Sequence, residues 1–130
     1  MRTAIDSSVI LDVLVGSPER STLAEEALRR ATREGQLIIS EPVVAEISPE
    51  LDEVPAFLSA WKVLFVSGTL ESAALAGRMY SKYLSSKGKP GRVVPDFLIG
   101  AHALKLADRL LARDRGFYRE YFRGLKVIEP

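Results

Sequence analysis

Short apolar runs alternating with helical segments predict an α/β fold with a mostly parallel central sheet flanked by helices. Three observations carry that expectation. Strand signals recur at 2–6, 36–40, 63–66, 109–112 and 125–128, with helical patterns between them and few hairpin turns. The run Gln36-Leu37-Ile38-Ile39-Ser40 is apolar enough to be buried on both faces, as the strands of parallel sheets are. A chain of 130 residues has room for one domain, spanning 1–130. Folding at that size buries roughly two thirds of the extended surface.

Each element has a local reason. Arg2-Thr3-Ala4-Ile5-Asp6 reads as the first strand, and Ser7 and Ser8 as caps of the helix after it. A longer helix, about 19–34, sets Leu23, Ala24, Ala27, Leu28 and Ala31 on one face, and Gly35 ends it as a left-handed residue would. Beyond the second strand, Pro42 suits the first turn of a helix through Val43, Val44, Ala45, Glu46 and Ile47. Pro49 and Pro55 break the middle into short helices before the third strand, residues 63–66. Thr69 caps a helix whose apolar face is expected to be Leu70, Ala73, Ala74, Gly77, Tyr80 and Leu84. Residues 85–92 form a flexible basic loop, and Pro95 opens a helix to about Ala107. The fourth strand is 109–112, residues 115–123 are short-helical, and 125–128 close the sheet. There is no internal repeat and no linker.

Composition removes whole classes of function. At 47% hydrophobic and 27% charged, the chain matches the globular average and not a disordered or collagen-like one. No stretch free of charged residues exceeds eight, too short for a membrane helix or a signal-peptide core. A cytoplasmic protein with no membrane partner is therefore expected. Without cysteine there is no disulfide framework and no thiolate metal site. The single histidine, His102, excludes a His pair or a multi-His zinc site. Chemistry is left to carboxylates, hydroxyls, Lys and Arg. The net charge of +1 hides an asymmetry, −6 over residues 1–77 and +7 over residues 78–130. An anionic partner would dock on the basic half.

Ligands of open α/β sheets collect beyond the carboxyl ends of the strands. Four acids stand at such junctions. Asp6 ends the first strand, and Glu46 lies one turn into the helix after the second. Asp96 is in the first turn after Pro95, and Asp114 follows the fourth strand by two residues. Singly, Asp96 reads as a helix N-terminal acid, and Asp6 and Asp114 as cap or turn residues. Glu46 is harder to explain that way, because it sits among Val43, Val44, Ala45 and Ile47, where an acid is costly unless exposed or ligated. Together they point to a metal site. Carboxylates crowded into one cleft either protonate or share a hard cation such as Mg²⁺ or Mn²⁺. Such a cation activates water for phosphodiester cleavage.

The segments Ile5-Asp6-Ser7-Ser8-Val9-Ile10-Leu11, Pro42-Val43-Val44-Ala45-Glu46-Ile47, Pro95-Asp96-Phe97-Leu98-Ile99-Gly100-Ala101 and Leu110-Leu111-Ala112-Arg113-Asp114-Arg115-Gly116-Phe117 resemble the signature blocks of the PIN-domain nucleases, in that family's order. The resemblance spans essentially the whole chain and is nearest in length to the VapC-type toxin subunits of virulence-associated toxin–antitoxin pairs. It implies a PIN-like three-layer fold and a Mg²⁺- or Mn²⁺-dependent endoribonuclease. It also implies an RNA substrate, a cognate antitoxin protein and a homodimer. It makes Asp6, Glu46, Asp96 and Asp114 the metal-binding catalytic acids and Ser8 the hydroxyl that orients them. The chain departs from the pattern at Ala112, where many relatives carry Thr or Ser, which puts one supporting hydrogen bond in question.

Other residues divide between plain and functional roles. Lys87, Lys89 and Arg92, with Arg113 and Arg115 beside the last acid, are candidates to hold an RNA backbone; simple solvation is the alternative. His102 lies six positions after Asp96, about 240° around the helix, and is expected to be structural or solvated. Asp12 is expected on the surface, and Trp61, Phe57 and Phe65 in core or dimer contacts. Two other functions compete with the nuclease. A catalytically idle PIN-like domain would bind RNA or protein without turnover. A phospho-acceptor receiver has the same length, but the first strand lacks an acid pair and the third ends Val66-Ser67-Gly68 without an acceptor Asp.

Overall fold

In the computed structural model, which describes residues 1–86 and 94–130, every strand of the sheet runs parallel to its neighbours. The strands are β1 (Arg2–Ile5), β2 (Gln36–Ile39), β3 (Val63–Phe65), β4 (Arg109–Leu111) and β5 (Val127–Ile128), in the order β3-β2-β1-β4-β5. The chain thus winds outward from β1 on one side and resumes at β4 on the other. The crevice beyond the carboxyl ends of β1 and β4 is where ligands collect in such sheets. This order also excludes the receiver, whose strands run 2-1-3-4-5.

Among the described residues, seven α-helices connect the strands: α1 (Ser7–Val15), α2 (Pro18–Glu34), α3 (Glu41–Ile47), α4 (Val54–Trp61), α5 (Leu70–Ser86), α6 (Val94–Leu106) and α7 (Phe117–Tyr121). Right-handed crossovers assign α1–α4 to one face and α5–α7 to the other, completing three layers. α1 packs on α2 and α5 on α6, while α3 touches both α1 and α6. Leu37, Ile38 and Ile39 of β2 are all buried, as a central parallel strand requires. They join Ile5, Ile10, Leu28, Leu110, Leu111 and Phe97 in one core, where each large side chain contributes about 1.5–3 kcal/mol. β3 is an edge strand, and its Leu64 and Phe65 are exposed.

Element boundaries fall close to the expected ones, and the differences are instructive. Of the basic loop expected at 85–92, Ser85 and Ser86 are helical. The rest of that segment, with Lys87, Lys89 and Arg92, lies outside the described residues. Asp6, not Ser7 or Ser8, caps α1. Gly35 is extended (φ 161°), not left-handed. Glycine is needed there because a Cβ would overlap the Met1 backbone carbonyl. Leu23, expected on the buried face of α2, is exposed, whereas Ala24, Ala27, Leu28 and Ala31 are buried. On α5 the buried face carries Ser72, Leu75 and Ala76, and Leu70 and Leu84 face solvent. Thr69 caps α5 as expected, in a reciprocal pair with Ser72. Asp12 is the largest reversal: it is 5% exposed, because the Arg113 guanidinium grips it at 2.6 and 3.1 Å.

Candidate active site

Three of the four junction acids form one electrostatic cluster. Asp6 is placed by the end of β1 and by capping α1, where the Ser8 N–H donates to its Oδ2 at 3.1 Å. Its Oδ1 accepts the Tyr118 hydroxyl at 2.6 Å. Glu46 comes from α3, where its Oε1 accepts the Ser7 hydroxyl at 2.9 Å. Burial raises the Glu46 pKa, the Ser7 hydrogen bond opposes that, and the charge of Asp6 adds to it. Asp96, in the first turn of α6, is pushed up to about 6 by burial and then by the charges of Asp6 and Glu46. Helix α3 can deliver Glu46 to this cluster because it contacts both α1, which follows Asp6, and α6, which carries Asp96.

Asp114 stands in the same crevice with a different set of partners. A cavity of about 450 Å³ is lined by Asp6, Asp96 and Asp114 together with Ser8, Arg113 and Arg115. The Asp114 carboxylate accepts from the backbone N–H of Gly116 and Tyr118 at 3.1 Å and of Arg119 at 3.3 Å. The Arg119 guanidinium adds a further contact at 3.3 Å. The Asp114 side chain is 1% exposed, so it anchors the start of α7 with its charge balanced. Among the described residues, no three acidic or histidine side chains gather closely enough to hold a metal ion between them. The available donors are nonetheless all carboxylate and hydroxyl oxygens, the chemistry that a hard divalent cation takes. Burial first, and the neighbouring charges of Asp6 and Glu46 second, make the ionised form of Asp96 costly, and a counter-charge in the crevice would offset both.

Several neighbouring side chains set this geometry. The Ser8 hydroxyl accepts the Arg113 backbone N–H at 3.3 Å, tying the loop after β4 to α1. The hydroxyl that meets an acid belongs instead to Ser7. Arg113 spends Nε and Nη2 on Asp12, which fixes its guanidinium at the mouth of the cavity. Arg115 is exposed on the same rim. His102 is structural: it is 3% exposed, and its Nε2 lies 2.7 Å from the Val66 carbonyl. Trp61 and Phe57 pack against the core, while Phe65 is half exposed. Sequence reasoning missed Ser7 and Tyr118. Ser7 adjoins Asp6, a weak signal; nothing local links Tyr118 to an acid 112 positions earlier.

A five-stranded parallel sheet in this order defines an α/β protein that gathers carboxylates in the crevice at its switch point. The chain belongs to the PIN-domain family, whose profile matches residues 3–122. Two solved structures share the fold. VapBC2 from Rickettsia felis, bound to a DNA fragment from its promoter, aligns with a TM-score of 0.73 at 15% identity, covering 99% of this chain and 98% of that one. DNA-bound VapBC from Salmonella typhimurium aligns with a TM-score of 0.68 at 15% identity, with the same coverage. No curated protein matches the chain in sequence.

Proposed function

We propose that this PIN-domain protein is a Mg²⁺- or Mn²⁺-dependent endoribonuclease and the toxin of a toxin–antitoxin pair. The observation that carries the proposal is the crevice beyond the carboxyl ends of β1 and β4, lined by Asp6, Asp96 and Asp114, with Glu46 held beside it on Ser7, the neighbour of Asp6. Asp6, Glu46 and Asp96, too far apart to chelate as they stand, would have to close on the cation to hold it, with Asp114 contributing from the same crevice. Bound there, the cation would polarise a phosphodiester and lower the pKa of the attacking water. The chain itself orients Asp6 through Ser8 and Tyr118 and Glu46 through Ser7. Arg113 and Arg115 offer guanidinium groups to an RNA backbone at the rim. The overlap with VapBC assemblies supports a cognate antitoxin. An antitoxin tail that inhibits by blocking the crevice would place a cationic side chain among the acids.

One observation favours the idle-domain reading, since the Asp114 carboxylate already holds several donors. A single assay separates the two. Single-stranded and structured RNAs are incubated with protein and Mg²⁺ or Mn²⁺, with EDTA as control. Hydrolysis that stops with EDTA supports the nuclease. Cleavage at full rate in EDTA removes the metal, and no cleavage under any condition favours the idle domain.

A further inference from the structure

We infer that Tyr118 is the positioning residue of this site, its hydroxyl fixing the Asp6 carboxylate in the orientation the cation requires; the inference rests on the nuclease reading above. Tyr118 is 4% exposed, and its hydroxyl donates to Asp6 Oδ1 at 2.6 Å. Its own backbone N–H donates to Asp114 Oδ1 at 3.1 Å. One residue therefore joins two acids of the crevice: Asp114 holds the start of α7, and α7 delivers the phenol to Asp6. The register explains why the donor comes from so far away. Ile5 pairs with Leu111, so the position just past β4 that continues the register beside Asp6 is Ala112, which is fully buried and has no hydroxyl to give.

The chemistry of the donor matters. A guanidinium or ammonium at the same place would neutralise Asp6 and compete with a cation. A phenol orients the carboxylate and leaves its charge in place. Two of the roughly four acceptor positions of Asp6 are used, by Tyr118 and by the Ser8 N–H, and the rest remain for the crevice.

The test compares Tyr118→Phe with Tyr121→Phe. Tyr121 lies on the same helix, and its hydroxyl is buried with no hydrogen-bond partner among the described residues, so its loss controls for deleting a buried oxygen. The first readout needs no metal. The Ser8 amide donates to the other oxygen of Asp6, and its hydrogen exchange should quicken about tenfold in Tyr118→Phe and stay at the wild-type rate in Tyr121→Phe. The second is Mn²⁺ affinity by calorimetry, which should fall about tenfold in Tyr118→Phe alone. Turnover should drop in kcat with KM unchanged. Equal Ser8 exchange and equal Mn²⁺ affinity in the two variants would overturn the inference. If wild type binds no Mn²⁺, it is the metal reading that fails, and Ser8 exchange still decides whether Tyr118 holds Asp6. Should Tyr118→Phe not fold, wild type compared with Asp6→Ala decides. Its Tyr118 hydroxyl proton should give a slowly exchanging resonance that Asp6→Ala abolishes, and absence of that resonance refutes the bond.

Discussion

Asp96 is the residue whose titration most directly reports the cluster. Its folded pKa of about 6 stands above the ordinary 3.8. The folded chain then binds more protons than the unfolded one between those values, so stability is greatest below 3.8 and is lost as pH rises through about 6. Partial solvent access limits the loss to about 1–2 kcal/mol. The gap in melting temperature between metal-free Asp96→Asn and wild type should therefore widen in the variant's favour from pH 5 to pH 7.5. His102, whose pKa burial lowers, acts in the opposite sense in both proteins and drops out of that comparison. A gap that does not grow with pH would contradict the cluster. Asp12 contributes in a different way, through its ion pair. Its bidentate bond to Arg113 is mostly buried on the Asp12 side and about one third exposed on the Arg113 side. Asp12→Asn should cost about 1–2 kcal/mol in urea unfolding. An unchanged midpoint would mean that the pair is solvated in practice.

At the scale of elements, capping and close approach set the boundaries. Thr69 and Ser72 each bond the other's backbone N–H at the start of α5. Thr69→Ala should cost about 1 kcal/mol, read as a lower denaturation midpoint with an unchanged slope. Gly35 ends α2 where a Cβ would strike the Met1 carbonyl. Gly35→Ala should displace the first residue and weaken the chain by about 1–3 kcal/mol; neutral behaviour would show that the N-terminus yields freely. The face of α5 shows how an element's own pattern can mislead. The expected stripe and the observed one differ by about one residue, a rotation of about 100°. Tyr80 belongs to the expected stripe and stays half-buried, while Tyr83 lies outside that stripe. Both rings reach Phe97, at 5.5 and 5.6 Å, and fill the space between α5 and α6.

For the whole molecule, the metal and partner proposals make joint predictions. Mg²⁺ or Mn²⁺ at about a hundred times its dissociation constant should stabilise wild type by about 2.7 kcal/mol. Asp6→Asn should lose most of that shift along with turnover. Equal shifts in wild type and variant would place the cation elsewhere. The homodimer expected from the family resemblance is tested by light scattering after size exclusion, and a monomer at tens of micromolar counts against it. Among the described residues, no helix is long and apolar enough to cross a membrane.

The sequence by itself determined the alternation of strands and helices, because apolar runs, prolines and caps are local signals. It also placed Asp6, Glu46 and Asp114 after strands and Asp96 at the start of the helix that leads into β4. In an all-parallel sheet every strand's carboxyl end lies on one edge, so acids after different strands arrive on one side of the molecule. What it could not determine is which partners those acids find there. Only tertiary structure set Ser7 rather than Ser8 against Glu46, brought Tyr118 onto Asp6, sealed Asp12 beneath Arg113 and turned Asp114 toward its own helix. Those choices depend on how α1, α3, α6 and α7 converge over one crevice. That convergence is fixed by the packing of large side chains distant in sequence, and local periodicity does not encode it.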